Sequence, residues 1–167
     1  MPSHVALAIL GRQAFIPKGT TAAALELELR KFAVREQINA LEVQIGKLPQ
    51  IDLPLKHMFP PGLYVREIFI PAGSCVVGMI HKHEHLNYIS RGKVAVLTKD
   101  GREILEGPCT MISSAGTKRA LYTLEDTVWT TVHLNPSNTR DIDQLVAEIT
   151  APTYADLEEF LKLENKS

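Results

Sequence analysis

The spacing of hydrophobic positions along the chain changes twice, and each change predicts a boundary between structural regions. In residues 21–47 apolar side chains recur at intervals of three and four, good helix formers dominate, and no proline or glycine occurs before Gly46. Pro49 then ends the segment. The pattern predicts a long helix with a coiled-coil-like seam of about three heptads. The seam consists of Leu27, Val34, Ile38, Leu41, Ile45 and Leu48.

The seam leaves two interpretations open. A helix of this length needs a partner for its apolar stripe, and that partner is either its own domain or a second subunit. The second alternative makes the chain a homo-oligomer that assembles through the helix of residues 21–48. Such assembly would also protect any open sheet edge.

Residues 49–62 contain four prolines and predict an extended linker. After the linker the hydrophobic period falls to two, and turn residues such as Pro71-Ala72-Gly73 and Lys99-Asp100-Gly101 separate short alternating runs. Short strands at this spacing predict a mainly β sandwich or barrel. We expect strands at residues 63–70, 74–81, 86–90, 93–99, 102–105, 109–113, 119–124 and 127–134.

Helical patterns return in the C-terminal tail. Thr139 or Asp141 can cap a helix that ends near Ile149, and Thr153 can cap a last helix. Residues 1–19 have no clear period and predict an arm with one short strand. The predicted organisation is an arm, helix and linker over residues 1–60, a barrel over 61–136 and a helical extension over 137–167.

Composition narrows the class of protein and its partners. The chain has 167 residues, of which 45% are hydrophobic and 22% charged, as is typical of a soluble globular domain with an appendage. A net charge of -1 argues against nucleic acid or an anionic membrane as a partner. Two cysteines are too few for a disulfide framework, and the apolar run of residues 5–10 lacks the features of a signal peptide. We therefore expect a cytoplasmic protein.

Half of the six histidines lie in one pentapeptide, His81-Lys82-His83-Glu84-His85. In an extended segment the three imidazoles would share one face, and neutral imidazole is a common ligand of zinc, iron, copper and nickel. On a straight strand the outer two Cα atoms would lie about 13 Å apart. Either the chain bends near His85 or one of the three has another role. His81 and His83 are the predicted pair, and a hydrogen-bonded pair lining a barrel is the alternative.

At this point the sequence resembles the cupin superfamily over about residues 60–136. Gly78, His81-Lys82-His83 and Gly92 match the first cupin motif in residue type. Counted forward from the two histidines, the glutamate position of that motif falls on Asn87. Counted back from Gly92, it falls on His85. The resemblance implies a mainly β protein with a single cupin-type double-stranded β-helix, or jelly roll, flanked by an N-terminal helix and C-terminal helices.

The turn of the second cupin motif is matched in this sequence, but the histidine ligand of that motif is not. Ser114-Ala115-Gly116 resembles the turn, whereas Arg119 stands at the histidine position. A guanidinium cannot bind a metal ion, so His133 on the last strand is the candidate for the remaining ligand. An inward-pointing Arg119 would suit a carboxylate or phosphate.

The resemblance implies a divalent transition metal, with iron, manganese, zinc, nickel and cobalt not distinguished. The candidate metal ligands are His81, His83, His85 and His133. The candidate pocket or ligand-binding residues are Asn87, Tyr88, Arg119 and Trp129.

Three functions remain open at this stage. The first is a metal-dependent cupin acting on a small molecule, for which the sequence does not choose between isomerase, dioxygenase and hydrolase. The second is a non-catalytic assembly module, because the overall pattern also resembles uncharacterised cupin-like proteins of tailed bacteriophages and prophages. Its partners would be phage structural proteins, in the virion or the host cytoplasm. The third is a metal-free sugar-phosphate or nucleotide-sugar cupin that uses Arg119, His85 and a tyrosine.

Overall fold

The helix predicted from the apolar seam is α1, which spans Ala22–Ile45. The computed structural model describes residues 21–98 and 101–165, so the arm predicted for residues 1–19 lies outside the described residues. Thr21 caps α1, because its hydroxyl accepts a hydrogen bond from the Ala24 N–H at 3.2 Å. The helix ends at Gly46, whose N–H donates to carbonyls of the last turn.

Helix α1 packs on the barrel through its C-terminal half. Ile38 is only 1% exposed, whereas Leu27, on the same stripe, is 52% exposed. Lys118 ties this half to the barrel by donating to Asn39 Oδ1 at 3.3 Å and to Glu42 Oε2 at 2.6 Å. The C-terminal half of the helix therefore packs on its own domain. Pairing of the helix between subunits stays a prediction.

The strands of the described residues form two main antiparallel sheets. In chain order they are β1 (Leu55–Met58), β2 (Leu63–Ile70), β3 (Cys75–Val77), β4 (Ile80–His81), β5 (His85–Arg91), β6 (Lys93–Thr98), β7 (Gly101–Glu106), β8 (Cys109–Ser113), β9 (Ala120–Thr123), β10 (Thr127–Leu134) and β11 (Thr150–Ala151). One sheet has the order β1-β2-β10-β5-β8, and the facing sheet has the order β3-β9-β6-β7. From β2 to β10, β4 apart, the chain passes from one of these sheets to the other at each step except between β6 and β7, as in an eight-stranded jelly roll, and β1 is an added edge strand. The predicted fold class is confirmed.

The core lies between the two sheets. Period-two alternation turns Ile89 and Trp129 inward from one sheet, and Val94 and Val96 inward from the other. All four are buried and form one cluster. The alternation that predicted the strands therefore also selects the residues of the core.

The C-terminal extension closes one end of the barrel. Helix α2 (Ile142–Ile149) is capped by Asp141, and α3 (Tyr154–Glu164) begins at a capping box formed by Thr153 and Asp156. Between the helices, β11 pairs with β4. The extension packs through two clusters of buried residues, Tyr64 with Leu145 and Ile149, and Ile80 with Ala151 and Leu157.

Two local predictions are corrected by the structure. The expected strand of residues 74–81 is split, because β3 pairs with β9 whereas β4 pairs with β11 in a separate two-stranded sheet. The predicted linker contains β1, which pairs with the outer edge of β2 despite the prolines on either side. Within the described residues, no helix is long and apolar enough to cross a membrane.

Candidate metal centre

Three histidines from three separate strands meet near the end of the barrel that the C-terminal extension closes. His81 ends β4, His85 begins β5 and His133 is the second-last residue of β10. Because Val132 pairs with Leu86, β10 brings His133 beside His85. One ligand atom from each imidazole lies within 4.8 Å of the other two. The ring centroids are separated by 4.1 Å, 4.6 Å and 5.1 Å.

Each of these imidazoles has a buried nitrogen without a hydrogen-bond partner. The three atoms are His81 Nδ1, His85 Nε2 and His133 Nε2, and none of the three side chains is more than 9% exposed. Buried polar atoms in proteins are normally paired, because desolvation without a partner costs about 1–3 kcal/mol. A bound metal ion would use all three lone pairs at once.

The hydrogen bonding of His85 selects one of its tautomers. His85 Nδ1 lies 3.2 Å from the His83 carbonyl oxygen. Since a carbonyl can only accept, Nδ1 carries the hydrogen and Nε2 keeps its lone pair. Contacts of this kind orient histidine ligands at metal sites. The backbone of His83 therefore supports the cluster, although its side chain is elsewhere.

The environment keeps the three rings neutral. Burial lowers the pKa of His81 from an ordinary 6.5 to about 2 and that of His133 to about 3, and it also lowers the pKa of His85. Contacts among the imidazoles and the positive charge of Arg66 act in the same direction on His81 and His133. At neutral pH the lone pairs are therefore available to a cation without loss of a proton.

The structure separates His83 from the other three candidate ligands. The chain turns between β4 and β5, so residues 81–85 are not one strand and the expected alternation of side chains is lost. The exposed ring of His83 instead packs edge-on against Phe160, with centroids 5.3 Å apart. The chain therefore bends before His85, and His83 lies apart from the other two histidines of the pentapeptide.

The other candidate pocket residues lie on two faces. Asn87 and Trp129 are buried, and the Trp129 indole Nε1–H donates to Asn87 Oδ1 at 3.0 Å. Asn87 Nδ2 donates to Ser113 Oγ at 2.7 Å, so this amide joins β5, β8 and β10. Tyr88 is 40% exposed on the opposite face of β5 from His85.

A cavity of about 100 Å³ lies beside His81 inside the barrel. Arg119 lines it, as do Asn87 and Trp129. Arg66 of β2 also lines it, and sequence reasoning missed this residue. The available signal was the alternation of β2, in which Arg66 shares the inward face with Tyr64 and Ile68. An arginine in that register marks a charged group inside the barrel.

The strand order and the histidine cluster together define the class of this protein, a jelly roll with a candidate metal centre near one end of the barrel. A comparison of the sequence with protein-family models found no match, and a comparison with curated proteins found none either.

Several solved structures resemble part of the fold at low sequence identity. A cupin superfamily protein from Desulfitobacterium hafniense is 11% identical, with a TM-score of 0.45 over 53% of this chain and 82% of that one. The cupin domain of Cnp3 from Schizosaccharomyces pombe is 14% identical, with a TM-score of 0.44 over 59% and 77%. A conserved Streptococcus pyogenes protein of unknown function is 16% identical, with a TM-score of 0.43 over 53% and 78%. The jelly-roll fold rests on the strand order and registers rather than on these similarities.

Proposed function

We propose that this chain is a metal-binding protein of the cupin type, in which His81, His85 and His133 bind one divalent transition metal ion. The observation that carries the proposal is the convergence of three buried, neutral imidazoles, each with an unpartnered ring nitrogen. Three histidines suit zinc, iron, nickel, cobalt or manganese, and the donor set alone does not select among them.

The size of the cluster suits a single ion. Nitrogen atoms bound to one ion at about 2.1 Å lie roughly 3 to 3.5 Å from each other. The donor atoms here lie within 4.8 Å of one another, so side-chain movements on the order of 1 Å would bring all three into contact with the ion.

Three protein ligands leave at least one coordination position for water or a substrate. The cavity beside His81 offers space for such a ligand. A metal ion held by the three histidines could polarise a carbonyl bound in this cavity or activate a water molecule, which is the general chemistry of open metal sites. The geometry thus favours a small-molecule site, and the reaction is not assigned.

Elemental analysis of the purified full-length protein, after metal-replete expression, tests the proposal. We expect about one equivalent of metal per chain in the wild type and a loss of most of it in His133→Ala. His83→Ala is the matched control, because this neighbouring histidine lies outside the cluster, and it should retain the metal. The urea midpoint of each variant shows whether it is folded.

Less than about 0.1 equivalent of metal in the wild type would contradict the proposal. So would a folded His133→Ala variant that keeps its metal, or a His83→Ala variant that loses it.

A second candidate role is assembly through α1. Two large apolar side chains in its N-terminal half, Leu27 and Phe32, are about half exposed, so this half has apolar surface left for a second subunit. The interpretation as a phage-encoded assembly component rests on the sequence resemblance alone. Sedimentation of Leu27→Lys/Phe32→Lys should show fewer subunits than the wild type, whereas the exposed Ile112→Lys should not. An unchanged subunit number in the double variant would contradict assembly through this half.

A further inference from the structure

The cavity beside His81 carries two positive charges that the metal centre does not use. Arg66 from β2 and Arg119, which precedes β9, both line it. The lining contains neither aspartate nor glutamate, and among the described residues Arg66 has no ion-pair partner. Arg66 Nε is buried without a hydrogen-bond partner. A buried guanidinium nitrogen without a partner favours an anion that can accept from it, because a donor left unpaired away from water is costly.

Apart from His81, the other polar side chains around the cavity already have hydrogen-bond partners. Thr117 Oγ1 donates to the Ser114 carbonyl at 2.6 Å, and Asn87 uses its oxygen for Trp129 and its nitrogen for Ser113. Arg66 is therefore a main donor that remains for a ligand, and Arg119 lines the same cavity. A guanidinium presents parallel N–H groups that match the two oxygens of one carboxylate.

The remaining walls are apolar and the space is small. Apolar side chains of three strands, β2, β3 and β9, surround the arginines together with Trp129 of β10. These side chains are Ile68, Ile70, Val76 and Leu121. The cavity of about 100 Å³ accommodates a ligand of a few non-hydrogen atoms, since one water needs about 10–15 Å³ in the same measure. A phosphate would leave two further oxygens facing hydrocarbon, whereas a short carboxylate would place its apolar body there.

Met79 marks the entrance to the cavity. It lines the cavity and is 45% exposed, whereas His81, two residues further along the chain, is buried. A ligand that enters past Met79 reaches the arginines and His81 within one space.

We propose that this cavity binds a short-chain carboxylate, with the carboxylate on Arg66 and Arg119 and the opposite end of the ligand directed towards His81. The contact between the carboxylate and the arginines does not depend on the proposed metal site. The role of the opposite end as a ligand of the metal, and so as a substrate, rests on the function proposed above.

Isothermal titration of the full-length protein with propionate tests the proposal. It is carried out on chelator-treated protein and on the same protein reloaded with one equivalent of zinc. Propionamide serves as the matched ligand, because it has nearly the same shape without the charge. We expect propionate to bind both forms, at least about 10-fold more tightly than propionamide, and to weaken as salt is added.

Three variants localise the binding. Arg66→Gln and Arg119→Gln should each weaken propionate at least about 10-fold, and Arg66→Lys should keep part of the affinity. Arg102→Gln, which removes an exposed charge on the outer face of the facing sheet, should leave the affinity unchanged. The comparison of propionate with propionamide on the wild type remains decisive even where a variant fails to fold.

The proposal is overturned if propionamide binds as tightly as propionate, or if folded Arg66→Gln and Arg119→Gln both keep the wild-type affinity. Tighter binding of inorganic phosphate than of propionate would also overturn it. Metal analysis of the same samples separates the two proposals. Zinc binding without propionate binding rejects only the carboxylate site, and propionate binding without zinc binding rejects only the metal centre.

Discussion

At the scale of single residues, the candidate metal centre depends on three imidazoles that the fold keeps neutral, each with one ring nitrogen that has no hydrogen-bond partner. The low pKa values of His81 and His133 come first from burial, then from the neighbouring His85 and then from other nearby groups that include Arg66. The same environment makes the metal-free protein sensitive to acid. Two residues show the limit of local reasoning. His133 was a candidate because it is a histidine on the last strand, whereas His83 was paired with His81 on an alternation that the turn before β5 removes.

The pH dependence of the metal-free protein follows from these shifts. Below about pH 6.5 the unfolded chain binds protons at His81 and His133, while the folded chain does not until the pH approaches their values of about 2 and 3. Falling pH therefore favours unfolding. Between pH 7.5 and pH 5 each of these residues should lower the free energy of unfolding by up to about 2 kcal/mol.

Urea denaturation of chelator-treated protein at the two pH values measures this loss. His133→Gln should show a smaller difference between pH 7.5 and pH 5 than the wild type, because one titrating group is removed. The explanation fails if the wild type is equally stable at both values.

At the scale of elements, strand and helix positions were largely predictable because each has a clear hydrophobic period. Helix α1, β2, β8 and β10 begin and end within a few residues of the expected positions. The short strands β1 and β11 were missed. Each has four residues or fewer, which is too short to show a hydrophobic period, so its strand conformation depends on the strand with which it pairs.

The turn between β5 and β6 requires glycine. Gly92 has a φ of 99°, and a Cβ at this position would overlap Asp126 and Thr127, which lie at the start of β10. Gly92→Ala should lower the free energy of unfolding by more than about 2 kcal/mol. The matched control is Gly62→Ala, because Gly62 has a φ of 76° with open space around it and should lose only about 1 kcal/mol. Urea denaturation of both variants checks this, and equal losses would contradict the steric explanation.

The attachment of α1 depends on the Lys118–Glu42 ion pair. The Lys118 side chain is 7% exposed, so Glu42→Gln leaves a nearly buried ammonium with a weaker partner. We expect a loss of about 1–2 kcal/mol in the free energy of unfolding. Glu26→Gln removes a pair of similar length, Arg30–Glu26, whose side chains are both largely exposed. It should cost less than about 0.5 kcal/mol, and a larger effect than that of Glu42→Gln in the same urea experiment would contradict the assignment.

At the scale of the whole molecule, the candidate site exists because the jelly roll places the ends of distant strands together. His81 and His133 are 52 positions apart in sequence, yet β4 and β10 bring their rings to 5.1 Å. The cupin resemblance anticipated the barrel, and the arginine at the histidine position of its second motif directed attention to His133. The resemblance did not anticipate Arg66, because only the structure shows that this residue of β2 lines the cavity.

The central claim is that one metal ion is shared by His81, His85 and His133. Anomalous diffraction from crystals of the full-length protein, measured on both sides of the absorption edge of the bound metal, tests it most directly. We expect one strong anomalous peak inside the barrel, within about 2.0 to 2.3 Å of one ring nitrogen from each of the three histidines. A crystal grown from metal-replete protein with no peak there, or with its peak at His83 or another surface residue, would contradict it.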